Sequence, residues 1–342
     1  MAHNTERHKT GVSQPDWSQT LSIYGRPNLR RALWQISDTF IPYIALWALM
    51  VYLVTGRYSY WITLPLAVVA GMLLVRIFII FHDCCHGSFF AWRPGNKILG
   101  YIAGILVFTP YDEWRSSHAR HHVTAGDLDR RGTGDIWTMT VAEYKAASKL
   151  RRLGYRIYRN PLVMFFLGSA YLLLVSNRFS HKGARRHERR SVIYTNLAIL
   201  ALIILASLFL GFHDYIVIQL PVIVTAGIVG IWLFYVQHQF QGVYWSRHAL
   251  WDPTRAALEG SSYYRLPTIL QWLTGNIGLH HIHHMRPRIP NYNLQDCYDA
   301  IPELRDVTPV TLRGSLASIG MKLWDEEGQK MVGFSSIKTG AH

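Results

Sequence analysis

Three short histidine clusters in this chain share one spacing, with a His at each end of a single helical turn. They lie at residues 82–86, 118–122 and 280–284. Residues three and four apart lie on one face of a helix. The histidines expected to share a face are His82 and His86; His118, His121 and His122; and His280, His283 and His284. Imidazole suits iron, zinc, copper and nickel. These ligands are too many for one ion, so the pattern predicts a two-metal centre where membrane helices meet water.

Long apolar blocks indicate a membrane protein. Half of the 342 residues are hydrophobic, and about 20 apolar residues suffice to cross a bilayer as a helix. We therefore predict an all-α integral membrane protein with four transmembrane helices in two hairpins, interfacial helices and a cytoplasmic cap that carries the metals. The predicted spans are residues 39–55, 62–81, 192–212 and 215–236. The shorter apolar stretches, at 98–109 and 162–175, are expected to lie in the interface or to re-enter.

The basic residues predict the orientation. About half of the 35 Lys and Arg lie between residues 82 and 191, whereas the turn between the first two spans holds only Arg57. Lys and Arg collect on the cytoplasmic side of a membrane. Both termini and all three clusters should therefore face the cytoplasm, in a bacterial inner membrane. The net charge of +14 is assigned to this bias and to attraction to anionic lipid, with the run at 185–190 as an anchor, rather than to nucleic acid.

The remaining composition suggests one membrane domain with two tails. Residues 1–38 are polar without an apolar core, so no cleavable signal peptide is expected, and they are predicted to form a cytoplasmic tail. Residues 39–294 form the predicted membrane domain, and residues 295–342 a second cytoplasmic tail. The three cysteines offer no disulfide framework, which suits a reducing cytoplasmic face.

The type of ligand narrows the choice of metal. Structural zinc usually takes four ligands, often with Cys, and haem needs one or two axial His. An all-nitrogen site with eight or more His fits two iron ions best on ligand count. Nearby carboxylates should accept the second ring N–H of the ligands, although solvent exposure or helix capping would explain them equally well. The candidates are Asp83, Asp127, Asp129 and Asp135.

The three clusters, their order among the hairpins and the chain length together resemble the membrane-bound fatty acid desaturases. The resemblance runs from about Arg76 to Leu294. Residues 76–84, 126–135 and 276–284 look most like the acyl-lipid Δ12 (omega-6) branch. The resemblance implies a centre of two Fe²⁺ ions that activates O₂ and removes two hydrogens from an acyl chain. It implies no catalytic residue beyond the metal centre.

The resemblance also implies a ligand set. It comprises the eight histidines above and a further one, His238, at the cytoplasmic end of the last span. Cys85 departs from the family, which commonly has Gly there, so its larger side chain is expected to crowd the first cluster. His281 lies about 100° around the helix from His280 and is expected to point away from the metals.

An electron donor and a lipid substrate are the expected partners. The sequence holds no cytochrome b5-like domain, Cys cluster or nucleotide-binding glycine loop, so a separate electron donor of ferredoxin or cytochrome b5 type is expected. Such donors are acidic, and a basic face would steer them. The acyl-lipid chain should lie in an apolar tunnel between spans, in contact with membrane lipid. Arg76, within a span, is either functional or reaches back to the interface.

Two other functions are alternatives to desaturation. A di-iron hydroxylase or ketolase on a lipid would share these ligands and differ only in the pocket. A membrane metal transporter or storage protein would place ionisable ligands near the bilayer midplane, whereas almost all of these histidines lie beyond the ends of the spans. The double-bond position, the acyl carrier (phospholipid, CoA or carrier protein), the natural donor and the oligomeric state stay open.

Overall fold

The computed structural model describes residues 17–132 and 134–337, so residues 1–16 and 338–342 of the two predicted tails lie outside the described residues. The helices are α1 (Trp17–Tyr24), α2 (Leu29–Thr55), α3 (Tyr60–His86), α4 (Arg93–Leu106), α5 (Tyr111–Thr124), α6 (Val141–Ala146), α7 (Lys149–Tyr158), α8 (Gly168–Leu174), α9 (Arg186–Leu210), α10 (Phe212–His238), α11 (Pro253–Leu258), α12 (Thr268–Leu273), α13 (His280–Met285), α14 (Asn291–Ala300) and α15 (Leu312–Ser315). The strands are β1 (Met139–Thr140), β2 (Tyr264–Arg265), β3 (Val310–Thr311), β4 (Leu323–Asp325) and β5 (Lys330–Val332).

Four of these helices, α2, α3, α9 and α10, are long and apolar enough to cross a membrane. They correspond to the four predicted spans and form two hairpins, so the predicted fold class is confirmed. The first of them begins at Leu29, well before the predicted boundary at residue 39. The Asn28 side chain accepts a hydrogen bond from the Arg31 N–H at 3.1 Å, and this cap lets the polar turns before the apolar block continue the same helix.

Helix α3 lies at the centre of the bundle. In its most apolar stretch 61% of the residues are buried within the protein, against 17% for α9. It packs against α2, α4 and α10. It lies close to α10 at Gly71, where an added Cβ would lie 2.6 Å from Thr225 Cβ. Because α3 ends in His82 and His86, this packing fixes the first histidine cluster.

The two shorter apolar stretches do not form full spans. Residues 98–109 fall in α4 and the turn after it. Residues 162–175 form a π-helical segment, Leu162–Leu167, followed by α8. Together with α7 this segment makes a pair of helices bent by 68°, a geometry of a broken span or a re-entrant loop. Residues 162–175 therefore do not form a straight span, as predicted.

Beyond α10 the chain forms a cap of short helices and two small sheets, one of which includes β1 from the segment between α5 and α6. One sheet has the order β1-β4-β5, with β1 parallel to β4, and the other pairs β2 with β3 in parallel. Sequence analysis predicts none of these strands. The described part of 295–342 is not a loose tail, because Leu323 and Trp324 are buried in this cap.

The close crossing at Gly71 predicts an asymmetric response to a single methyl group. Gly71→Ala should lower the thermal unfolding temperature, because the new Cβ meets Thr225 and overpacking typically costs ~1–3 kcal/mol. Gly230→Ala on α10 is the matched control, since a Cβ there meets no atom within 4 Å. Thermal unfolding of both variants in one detergent would measure this. Equal shifts would contradict the role of Gly71 as a packing contact.

Candidate metal centre

Nine histidines meet where α3, α5, α10 and α13 come together, and they divide into two groups. We call these the five-histidine group and the four-histidine group. In each group the candidate ligand atoms all lie within 4.8 Å of one another. The five-histidine group is His82, His86, His118, His122 and His283, and the four-histidine group is His121, His238, His280 and His284. All nine histidines named by sequence analysis are therefore brought together, and the two groups lie side by side.

Helix geometry divides the second and third clusters between the groups. On α5, His118 and His122 belong to one group and His121 to the other. On α13, His280 and His284 belong to one group and His283 to the other. At 3.6 residues per turn, position i+4 is displaced by roughly 40° in one direction and i+3 by roughly 60° in the other. Histidines that the sequence places on a single helix face can therefore serve two neighbouring sites.

In the five-histidine group, several ring nitrogens lie close together, but there are too few N–H donors for hydrogen bonds between all of them. His122 Nε2 lies 3.1 Å from His118 Nε2 and 3.0 Å from His283 Nε2. A neutral imidazole carries one N–H, so it cannot donate in both directions. Within the described part of the chain, His86 Nε2 is buried with no hydrogen-bond partner. Converging lone pairs of this kind are stabilised by a cation.

The four-histidine group has the same arrangement. His238 Nε2 lies 3.1 Å from His121 Nε2 and 3.0 Å from His280 Nε2. His284 Nε2 is buried and has no hydrogen-bond partner among the described residues. Nitrogens that bind one ion at right angles through ~2.1 Å bonds lie roughly 3 Å apart. The spacing and the unpartnered nitrogens of both groups therefore fit a metal ion in each.

Burial sets the protonation of these side chains. It is the main cause that lowers the pKa of the histidines on α5 and α13 well below the ordinary value, and neighbouring imidazoles lower it further. The affected residues are His118, His122, His280, His283 and His284. These imidazoles are neutral at physiological pH, which is the form that binds a metal.

One carboxylate supports each group. His82 Nδ1 donates to Asp83 Oδ1 at 3.1 Å in the five-histidine group. His121 Nδ1 donates to Asp135 Oδ1 at 2.7 Å in the four-histidine group. Such a bond places the ring proton on Nδ1 and directs Nε2 inward. Asp83 and Asp135 thus lie where sequence analysis places the supporting carboxylates.

The other two candidate carboxylates do not contact either group, and the expectation for them is corrected. Asp127 Oδ2 accepts from His248 Nδ1 at 2.8 Å. Asp129 accepts from Arg247 Nη1 at 2.7 Å and from the His248 N–H at 2.9 Å. The reason is a backbone pairing between Asp127 and Ser246, which holds this turn against the cap. These carboxylates fasten the cap instead of orienting a ligand ring.

Two supporting contacts have no signal in the sequence. The carbonyl oxygen of Gly260 accepts from His238 Nδ1 at 3.2 Å. Asn291 donates twice to Asp83 Oδ2, from its backbone N–H at 2.6 Å and from Nδ2 at 2.8 Å. Both partners are distant in sequence from the ring that they support. An asparagine at the start of a helix would ordinarily be interpreted as a capping residue.

Two further residues singled out by sequence analysis lie outside both groups. His281 is fully buried, its Nε2 donates to the Leu304 carbonyl oxygen at 3.2 Å, and burial lowers its pKa to about 4. It points away from the groups, as its place on the helix predicts. Cys85 lies in the apolar core with its Sγ 4.0 Å from the Tyr111 carbonyl oxygen. Its thiol therefore belongs to neither histidine group.

Arg76 does not reach back to the interface. It is buried, its Nη2 lies 3.2 Å from Asp38 Oδ2, and its Nε donates to Thr39 Oγ1 at 2.9 Å. The guanidinium carbon also lies 4.3 Å from the centre of the Trp272 ring. These contacts hold Arg76 between α2, α3 and α12, and a functional role for it stays a prediction.

Comparison with known proteins agrees with this architecture. Residues 59–312 match the fatty acid desaturase family. A fatty acid desaturase of Bacillus subtilis (strain 168) is 47% identical over 99% of this chain and 94% of its own length. An sn-1 oleoyl-lipid 12-desaturase of Synechocystis sp. is 27% identical over 72% of this chain and 70% of its own length. A chloroplastic omega-6 fatty acid desaturase of Spinacia oleracea is 28% identical over 71% of this chain and 54% of its own. The match over most of the chain, together with four apolar spans and the paired histidine groups, shows that this protein belongs to the fatty acid desaturase family, the membrane oxidoreductases that act on lipid acyl chains.

Proposed function

We propose that this protein is a Δ12 (omega-6) acyl-lipid desaturase that converts oleoyl to linoleoyl groups with O₂. The observation that carries the proposal is the pair of adjacent all-histidine groups at the end of an apolar helix bundle. The likeness of residues 126–135 to the omega-6 branch supports the position of the double bond. The relatives named as 12-desaturases or omega-6 desaturases support it as well.

The two groups would hold two Fe²⁺ ions, with all nine histidines as ligands. When bound, such a pair supplies the oxygen activation that removal of two hydrogens from an unactivated chain requires. The protein contributes the preorganisation. Asp83 and Asp135 hold protons at Nδ1 of His82 and His121, so the opposite ring nitrogens face the ions. Burial of the remaining rings on α5 and α13, which lowers their pKa, keeps those imidazoles in the neutral form that binds a metal.

The surroundings of the site follow from its position. We place the metal centre, with residues 1–38 and 295–342, on the cytoplasmic side of a bacterial inner membrane, and residues 39–294 in and around the bilayer. Electrons would come from a separate ferredoxin or cytochrome b5. The excess of Lys and Arg would steer these acidic proteins to that side.

Product analysis tests the proposal directly. Expression in a host that makes only saturated and monounsaturated lipids should yield linoleoyl chains and consume O₂. Fatty-acid profiling by gas chromatography would measure this, with a His283→Ala variant as the inactive control. Hydroxylated or keto products in place of a second double bond would identify an oxygenase on the same fold instead.

Substitutions within and beside the groups test the ligand set. His238→Ala and His283→Ala should each abolish activity and lower bound iron, because each removes a nitrogen from one group. His281→Ala is the matched control and should keep its iron, since its ring faces Leu304. Loss of a supporting contact typically costs ~10–100-fold, so a modest loss of activity at His281 is compatible. Elemental analysis with turnover would decide. Full iron in His238→Ala, or none in His281→Ala, would contradict the assignment.

Topology is tested by a reporter fused after His342. The distribution of Lys and Arg places this terminus on the cytoplasmic side, so a cytoplasmic reporter should be active and a periplasmic one inactive. A fusion at Arg57, in the turn between the first two spans, should give the opposite result. Periplasmic activity after His342 would overturn both the orientation and the cytoplasmic metal centre.

A further inference from the structure

Of the nine histidines in the two groups, His238 alone comes from α10, and a glutamine flanks it on each side. Both are buried, with Gln237 3% exposed and Gln239 1% exposed. We propose that these glutamines are positioning residues, which hold His238 against the two segments that place its neighbours in the four-histidine group. This inference rests on the proposed function, because it concerns the ions that the histidine groups would hold.

Gln237 connects α10 to the third histidine cluster. Its Nε2 donates to the carbonyl oxygen of Ile277 at 3.0 Å. Ile277 is buried and lies three residues before His280. The Nε2 atoms of His280 and His238 are 3.0 Å apart. The bond therefore fixes the segment that leads to His280 relative to the helix that carries His238.

Gln239 connects the other side of His238 to the second cluster. Its Nε2 donates to Thr138 Oγ1 at 3.2 Å. Thr138 lies three residues after Asp135, whose carboxylate accepts from His121 Nδ1 at 2.7 Å. The Nε2 atoms of His121 and His238 are 3.1 Å apart. This pair of rings is therefore connected behind the site, through side chains that are not themselves in either group.

A buried arginine determines which way the Gln239 amide points. Arg159 is fully buried, and among the described residues it has no carboxylate partner. Its guanidinium donates to Gln239 Oε1 at 3.1 Å and to the carbonyl oxygens of Met321 at 2.6 Å and Trp137 at 3.3 Å. A guanidinium has donors only, so it binds the oxygen of the amide. The amide nitrogen is thereby left for Thr138.

The expected effect of the glutamines is confined to one group. Helix α10 brings only His238 to the metal centre, and Asp135 supports only His121 in the same group. In the five-histidine group the supporting carboxylate is Asp83, which accepts from Asn291 and from neither glutamine. Loss of either glutamine should therefore loosen one ion and spare the other, whereas a merely structural role would loosen both.

Release of iron from the purified, iron-loaded enzyme to a chelator tests the proposal. Gln239→Met and Gln237→Met should each speed the release of one of the two ions by about tenfold or more, the usual effect of a lost supporting contact. The other ion should keep its rate. Gln271→Met is the matched control and should change neither, because this glutamine donates to Gln295 on α14 at 2.6 Å. Equal acceleration of both ions by Gln239→Met, or of neither, would overturn the proposal.

Ligand variants identify which ion is affected. His283→Ala removes a nitrogen from the five-histidine group, so the ion that it retains is the one in the four-histidine group. Adding Gln239→Met should speed the release of that ion by about tenfold or more. His284→Ala leaves the five-histidine group complete, and adding Gln239→Met there should change nothing. The reverse pattern would overturn the proposal.

A nearly isosteric change tests the same bond from its other end. Thr138→Val removes the hydroxyl that accepts from Gln239 and keeps the shape of the side chain. It should speed the release of the same ion as Gln239→Met does. This variant decides the matter if Gln239→Met fails to fold, and normal release of both ions from Thr138→Val would overturn the role of the bond.

Turnover separates a failure of this inference from a failure of the proposed function. Linoleoyl product from the unmodified enzyme, with iron release unchanged in every glutamine variant, would refute the positioning role and leave the desaturase intact. Faster release of one ion from Gln239→Met, with no desaturated product from the unmodified enzyme on any oleoyl substrate, would uphold the positioning role and refute the proposed function.

Discussion

Converging lone pairs of buried imidazoles are the constraint on which the rest of the structure depends. Ring nitrogens about 3 Å apart, with too few protons to bond them, are unfavourable unless a cation lies between them. They must also stay neutral, and burial ensures this. Four helices have to hold those rings in place, and α3, which carries His82 and His86, is the most buried of the four apolar helices.

Carboxylates in this protein serve three separate purposes. Asp83 and Asp135 orient ligand rings, and Asp127 fastens the cap through His248. Asp38 neutralises the buried Arg76. Every one of them has a specific partner, because an unpaired charge at this depth would be costly.

Amide side chains connect α2 and α14 to the five-histidine group. Gln35 on α2 donates to Asn291, and Asn291 donates to Asp83, through hydrogen bonds of 2.6 to 2.8 Å. The carboxylate that supports the His82 ring is thus held by side chains from two other helices.

The sequence by itself determined the approximate spans, the membrane class and eight of the nine histidines, because apolar length and helical spacing are local properties that survive in any fold. The ninth, His238, came from the resemblance to a known family. The sequence also indicated that His281 points away, from its angle on the helix. Only the tertiary structure decided how the histidines divide into two groups, and which aspartates support them. It also revealed the roles of Asn291 and Gly260. Those contacts depend on which distant segments of the chain pack together, and no local sequence pattern predicts a contact between residues 83 and 291.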